Sequence, residues 1–212
     1  LMKLLIYGSK YSYYLMFILA LPVIFNAHYI LHLWLGIVPE HTVTFTRWIF
    51  VFLLAESISR PIITAKNANG HIRNYQIVVG GILLLMLPIS YVGLKMGMPV
   101  TFVAFANALT AIMAIFARMY MLRGDFPCWS TRIYYKEVFM NVIIVSVVAS
   151  IAPGLSYNLL PEGLINFIFT STFAVISSCM SVFYVGCSKV ERELIIHKSR
   201  QAINTFKSKF VR

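Results

Sequence analysis

Six long apolar stretches constrain the fold of this chain more than any other feature of its sequence. A helix needs about 20 apolar residues to cross the hydrocarbon core of a membrane, because each residue adds about 1.5 Å to its length. The stretches are Tyr11–Leu33, Val43–Ala65, Tyr75–Leu94, Pro99–Met121, Val138–Ala152 and Leu164–Val185. The sequence therefore predicts an all-α, polytopic membrane protein of about six transmembrane helices.

The composition agrees with a membrane protein and argues against a soluble domain and a nucleic-acid-binding protein. Only 12% of the residues are charged, whereas a soluble domain carries about 25%. The net charge of +11 does not indicate a nucleic-acid partner, since the basic residues are separated by apolar stretches instead of forming one patch. The three cysteines have neither the even count of a disulfide framework nor zinc-ligand spacing. We expect no cofactor and no metal.

The positions of lysine and arginine predict the orientation. Sixteen of the 18 basic residues lie before the first stretch, in or near alternate connectors, or in the tail. Arg47 and Lys95 are the two that lie towards the other side. Basic residues collect on the cytoplasmic side of a membrane protein. Both ends of this multi-pass protein are therefore predicted to be cytoplasmic.

Prolines predict where the helices are disturbed. Pro22, Pro61 and Pro88 fall inside or near the end of successive apolar stretches, and each predicts a kink or an early helix end. Pro153, followed by Gly154, is predicted to end the fifth helix.

Glu56 is the only acidic residue deep inside an apolar stretch, roughly 20 Å along its helix from Val43. Ionisable groups at such depth usually face a bundle interior or an aqueous cavity. Arg60 follows one turn later, where a Glu-then-Arg pair is favourable. Two interpretations stay open for Glu56: a cavity-facing site or an intrahelical ion pair.

Arg47 does not share the face of Glu56. Nine positions at 100° per residue place the two on opposite sides of one helix. Arg47 lies about one turn from the outer end, so we expect an interface anchor, with a lipid-headgroup contact as the alternative.

Two helices carry stripes of small and polar residues. The fourth has Ala104, Asn107, Ala111, Ala114 and Arg118, and the sixth has Asn166, Thr170, Ala174, Ser177 and Ser181. Small residues favour close helix packing, which is the expectation for the sixth helix. For the fourth, the alternative is a cavity wall on which Arg118 attracts an anion. The candidate substrate-binding residues are thus Glu56, Arg60, Asn107 and Arg118.

Two further features carry weaker predictions. His28 and His32 share a helical face, but they lie at an aromatic-rich edge beside Trp34 and are interpreted as interfacial. The tail from Lys189 to Arg212 places apolar residues at helical spacing among seven basic ones, which predicts either an amphipathic helix on the anionic cytoplasmic leaflet or a solvated basic tail.

Three stretches of the sequence, taken together, resemble a known family. They are Gly8–Pro22, Ile30–Gly36 with Val38–Arg47, and Arg60–Ala65 with Asn69–Gly81. Together they resemble the C-terminal half of bacterial polysaccharide flippases of the multidrug/oligosaccharidyl-lipid/polysaccharide (MATE-like) exporter superfamily. The resemblance covers most of residues 1–124.

The resemblance implies a fold and an activity. The helices would be the last six of a 14-helix transporter: residues 1–124 would end the second lobe, 125–188 would form an accessory pair, and 189–212 the basic tail. Such proteins flip undecaprenyl-pyrophosphate-linked oligosaccharide across the inner membrane, using a cationic cavity for the pyrophosphate. The partners implied are the bilayer, the lipid-linked oligosaccharide and an N-terminal lobe that this sequence lacks. The chain is expected to be a fragment, since it starts at Leu1.

Other functions stay open. A multidrug or cation antiporter of the same superfamily needs carboxylates in its cavity, and Glu56 alone provides one. A membrane-embedded polysaccharide polymerase or glycosyltransferase needs acids, bases or metal ligands near the surface. The only aspartate is Asp125 and no acidic pair occurs, so we expect no enzyme. A purely structural membrane subunit is a further alternative.

Overall fold

The computed structural model describes residues 2–70, 72–125, 129–159, 163–188, 191–193 and 201, and these are almost entirely helical. The α-helices are α1 (Met2–Phe25), α2 (Ala27–Leu35), α3 (Thr42–Asn69), α4 (Arg73–Leu84), α5 (Met86–Lys95), α6 (Phe102–Asp125), α7 (Thr131–Tyr134), α8 (Asn141–Leu159) and α9 (Leu164–Ser181). Two π-helical segments, Tyr135–Met140 and Val182–Gly186, continue α7 into α8 and extend α9.

Six helical spans are long and apolar enough to cross a membrane, as the sequence predicted. The spans are Met2–Phe25, Thr42–Asn69, Arg73–Lys95, Phe102–Gly124, Thr131–Tyr157 and Leu164–Gly186. Helices α4 and α5 form one span, and α7 and α8 form another with the π-helical segment between them. The chain is thus an all-α protein with the makeup of a multi-pass membrane protein.

The predicted bounds of the first helix, Tyr11–Leu33, are wrong at both ends. Helix α1 begins at Met2 and ends at Phe25, and α2 follows after Asn26. Pro22 lies in the last turn of α1, and the side-chain amide of Asn26 donates a hydrogen bond to the Pro22 carbonyl at 3.0 Å. The early end predicted from Pro22 is therefore confirmed. Lys10 consequently lies inside α1 and is buried, although the sequence placed it in a leading segment.

The other prolines have different outcomes. Pro88 is the third residue of α5, just after the break that separates α4 from α5 at Leu85, which agrees with the predicted early end. At Pro61 no end occurs, because α3 runs without interruption from Thr42 to Asn69.

The prediction that Pro153 ends the fifth helix is wrong, because α8 continues to Leu159. Proline has no N–H, so the carbonyl of Ala149, four residues earlier, loses its helical donor. The hydroxyl of Ser177 on α9 donates to that carbonyl at 2.8 Å. A neighbouring helix therefore supplies the missing hydrogen bond, which is how membrane helices tolerate proline.

Helix α1 lies at the centre of the bundle and packs against α3, α8 and α9. Its aromatic side chains Tyr14 and Phe17 are buried in the main core. A side chain at Gly8 would approach the Pro61 ring to 3.2 Å, so the glycine permits close contact between α1 and α3. Helix α6 also packs against α3 and contacts α4 and α5.

Both small-residue stripes face the bundle interior. On α6, Ala104, Ala111 and Ala114 are buried, and Arg118 at the end of the stripe is buried with them. On α9, the buried residues are Asn166, Thr170, Ala174, Ser178 and Ser181. The packing predicted for the last helix is confirmed, with Ser178 in the buried face and Ser177 bonded to Ala149. Most of the predicted amphipathic tail lies outside the described residues.

Candidate functional site

A buried ion pair joins α6 to α3 inside the apolar bundle. Arg118 donates a hydrogen bond from Nη1 to Glu56 Oε2 at 3.2 Å. The side chains are only 5% and 17% exposed, respectively. Glu56 lies near the middle of α3, and both residues fall within spans of membrane-crossing length. A charge is stable in such surroundings only when it is paired, so each side chain depends on the other.

Arg60 is the weaker partner of Glu56. Its Nε atom lies 3.9 Å from Glu56 Oε1, and its side chain is 73% exposed. The intrahelical pair expected from the four-residue spacing is therefore present. An exposed ion pair contributes little, because water and lipid headgroups compete for both charges. Of the two arginines, Arg118 is the one that the packing of α3 and α6 fixes in the interior.

Tyr75 adjoins this pair, and Lys66 in turn lies against Tyr75. The ammonium group of Lys66 lies 5.9 Å from the centroid of the Tyr75 ring, which is within cation–π range. The Tyr75 phenol interacts electrostatically with both Arg118 and Glu56. Lys66 and Tyr75 are 4% and 3% exposed. We call Glu56, Lys66, Tyr75 and Arg118 the buried charge cluster; it extends from the middle of α3 to its last turn and links α3 to α6 and to the start of α4.

The cluster has hydrogen-bond donors that it does not use. Arg118 Nε and the Tyr75 hydroxyl are both buried, and neither has a hydrogen-bond partner among the described residues. A guanidinium carries five N–H donors in a planar fork that suits carboxylate and phosphate oxygens. The Arg118 guanidinium, with the Tyr75 phenol beside it, can bind an anion.

The remaining sequence candidates lie elsewhere. Asn107 is half-buried on α6, eleven residues and about 16 Å along the helix from Arg118. The structure therefore does not bring Asn107 into the cluster. Arg47 is exposed and donates from Nε to the carbonyl of Ile24 at 3.1 Å, near the end of α1. Arg47 thus anchors α3 to the last turn of α1, where carbonyls lack helical donors.

Lys66 and Tyr75 were not predicted from the sequence. Lys66 directly follows the predicted stretch Val43–Ala65 and was expected in a connector, but α3 extends to Asn69 and places Lys66 in its last turn. The signal was Gly70, which has a φ of 78° and ends the helix in the left-handed conformation that glycine adopts readily. For Tyr75 the sequence offers no signal, because its position depends on how α4 packs against α6.

A second buried ion pair lies at the end of the bundle where α1 begins. Lys10 Nζ is 3.7 Å from Glu191 Oε2, and the two side chains are 6% and 10% exposed. Both residues line a cleft of about 340 Å³. Burial alone would raise the pKa of the Glu191 carboxyl, but hydrogen bonds from Ser188 and the charge of Lys10 lower the pKa below its ordinary value.

The surroundings of Glu191 identify a helix-capping motif. The backbone N–H of Ser188 donates to Glu191 Oε2, and the Glu191 N–H donates to Ser188 Oγ at 3.4 Å. This reciprocal pair is a capping box, which the Ser-x-x-Glu spacing in the sequence could have predicted. Arg192 donates to the carbonyl of Tyr184, in the π-helical segment that extends α9, and to that of Cys187, just after the segment. The start of the tail is therefore attached to α1 and to the π-helical extension of α9.

The histidines are not part of either ion pair. His28 and His32 are exposed, and His28 adjoins a small polar cavity of about 20 Å³ that Asn26 and Asn166 also line. Among the described residues, no three histidine, cysteine or acidic side chains are grouped as a metal site would need.

The comparisons with known proteins find no relative of this chain. No protein-family model, no curated protein and no solved structure matches it. What the fold and the site define is therefore a class: an all-helical, multi-pass membrane protein that pairs charges in its interior.

Proposed function

We propose that this chain is part of a bacterial inner-membrane transporter that flips undecaprenyl-pyrophosphate-linked oligosaccharide for polysaccharide export. The supporting observation is the buried charge cluster. Arg118 is buried among the apolar spans, and its Nε donor has no hydrogen-bond partner among the described residues. Lys66 is a second buried cation. A diphosphate is the anion best matched to these groups, because its oxygens accept several charge-assisted hydrogen bonds at once.

The proposal includes an orientation and a partner. Both ends of the chain lie in the cytoplasm, and the cluster then extends from the middle of the bundle, at Glu56, towards the cytoplasmic side, where α3 and α6 end and α4 begins. The pyrophosphate enters from the cytoplasm, and an N-terminal lobe completes the cavity. The basic tail lies against the anionic leaflet.

A cation antiporter of the same superfamily is the second candidate, because Glu56 is a carboxylate deep in the bundle. Its pairing with Arg118 at 3.2 Å argues against this function, since the guanidinium already neutralises the carboxylate that a cation would need.

Deletion of the gene tests the proposal. We expect surface polysaccharide to be lost and lipid-linked repeat units to accumulate inside the cell, and the wild-type gene to restore export. Arg118→Ala should abolish most of the restored export, when export is normalised to the amount of the variant protein in the membrane. Arg60→Ala removes a charge of the same sign from an exposed position, and this variant should keep at least half of the wild-type export.

Two outcomes would reject the proposal. One is normal polysaccharide with altered drug resistance in the deletion strain, which favours the antiporter. The other is full export by the Arg118→Ala variant, which removes the cluster from the substrate path.

A further inference from the structure

Glu56 uses only part of the hydrogen-bonding capacity of the Arg118 guanidinium. The contact is a single bond from Nη1 to Oε2, and Nε has no partner among the described residues. A bidentate arginine–carboxylate pair would use two parallel N–H groups. The carboxylate therefore neutralises the guanidinium without occupying its fork, which leaves the pair open to exchange with a better-matched anion.

Glu56 also has an alternative partner in reach. Oε2 accepts from Arg118 at 3.2 Å, while Oε1 lies 3.9 Å from Nε of Arg60 on the same helix. The Arg60 side chain is exposed and can follow the carboxylate, whereas Arg118 is fixed by burial. A small rotation of the Glu56 side chain thus moves its charge from the interior arginine to the exposed one without leaving it unpaired.

We infer that Glu56 is an exchangeable internal counter-anion: it occupies the place of a ligand phosphate on Arg118 and moves to Arg60 when that phosphate binds. The phosphate oxygens then accept from the Arg118 fork and from the Tyr75 hydroxyl, which is buried and without a hydrogen-bond partner among the described residues. The inference rests on the anion site of the proposed function, but not on the identity of the substrate that carries the phosphate.

The exchange predicts that removing the charge of Glu56 and removing that of Arg60 have opposite effects on the affinity for phosphate. Removing the charge of Glu56 removes the competitor, so the affinity for a phosphate anion rises. Removing Arg60 removes the alternative partner, so the displaced carboxylate is left unpaired and the affinity falls. A purely structural role for Glu56 predicts the reverse for the first variant, because Arg118 would lose the group that holds it in place.

The test measures the binding of inorganic pyrophosphate to the complete gene product in nanodiscs, by isothermal titration calorimetry. We expect Glu56→Gln to bind roughly tenfold more tightly than the wild type, and Arg118→Gln to lose measurable binding. Arg60→Gln should bind a few-fold more weakly. Glu40→Gln changes the net charge equally at a side chain that is 90% exposed, and it should bind as the wild type does.

Glu56→Asp is the second variant, since it keeps the charge; its affinity should stay within about threefold of the wild type. Size-exclusion profiles and thermal melting confirm that each variant is folded. Unchanged or weaker binding by a folded Glu56→Gln variant would overturn the exchange, and so would the absence of pyrophosphate binding in all variants. Normal polysaccharide export in the deletion strain, together with tighter binding by Glu56→Gln, would reject the proposed substrate and leave the exchange standing.

Discussion

The hydroxyl of Ser177 on α9 donates a hydrogen bond to the carbonyl of Ala149 on α8, the carbonyl that Pro153 leaves without a helical donor. The two helices therefore depend on each other at this point: α8 continues beyond Pro153 because α9 supplies the hydrogen-bond donor that the proline lacks. Burying a carbonyl without any donor costs about 1–3 kcal/mol.

This relationship predicts a conditional effect of mutation. Ser177→Ala should lower the free energy of unfolding by about 1–2 kcal/mol, because the Ala149 carbonyl then has no donor. In a Pro153→Ala background the backbone N–H returns, so the same Ser177→Ala change should cost less than half as much. Unfolding in detergent by titration with sodium dodecyl sulfate measures both differences. An equal loss in the two backgrounds would show that Ser177 acts through another contact.

The Glu56–Arg118 pair predicts strong coupling between two residues that are far apart in the sequence. Arg118→Gln should destabilise the protein by about 3 kcal/mol, because it leaves a carboxylate unpaired in the bundle. The double variant Glu56→Gln/Arg118→Gln should be less destabilised than the sum of the single variants, with a coupling energy of about 1–3 kcal/mol. The same unfolding titration measures the cycle. Additive effects would mean that the pair does not interact in the membrane.

A hydrogen-bond relay connects Tyr134 through Ser9 of α1 to the backbone of α3. Tyr134 donates to Ser9 Oγ at 2.6 Å, and Ser9 donates to the Ile58 carbonyl at 3.0 Å. Ser9→Ala leaves the buried Tyr134 hydroxyl without an acceptor and should cost about 2 kcal/mol. Tyr134→Phe leaves the Ser9–Ile58 bond intact and should cost about 1 kcal/mol.

The control for the relay is Thr172→Ala, at an exposed hydroxyl that bonds only to its own helix; its effect should stay within about 0.5 kcal/mol. A larger cost for Tyr134→Phe than for Ser9→Ala would contradict the direction of the relay.

The contact between Gly186 and Tyr14 predicts a steric effect. A Cβ atom at Gly186 would lie 2.8 Å from the Tyr14 ring, which is closer than Cβ atoms normally approach a neighbour, and Tyr14 is 2% exposed. Gly186→Ala should therefore destabilise the protein by about 1–3 kcal/mol. Gly80→Ala is the matched control, since nothing lies within 4 Å of its added atom, and the helix should gain up to about 1 kcal/mol. Melting temperatures measure both; equal shifts would contradict the contact.

The sequence predicted the number of spans because the length of an apolar stretch is a local property. The predicted start of the first helix was wrong because Lys10 was interpreted as exposed; the sequence alone does not show that a basic residue is buried unless its partner is known. That partner, Glu191, is more than 180 residues away. The pairing of Glu56 with Arg118 was likewise not predictable, because it depends on the rotation of α6 against α3. The nearer Arg60 was the partner that local spacing could identify.

The most direct test of the account measures which side of the membrane each connector faces. Glu40→Cys and Ala68→Cys each place a thiol at an exposed position, in a background where Cys128, Cys179 and Cys187 are serine. A membrane-impermeant maleimide should label position 40 in intact cells and position 68 only after lysis. Equal labelling of both positions in intact cells would contradict the six-span topology with cytoplasmic ends, and with it the transporter that we propose.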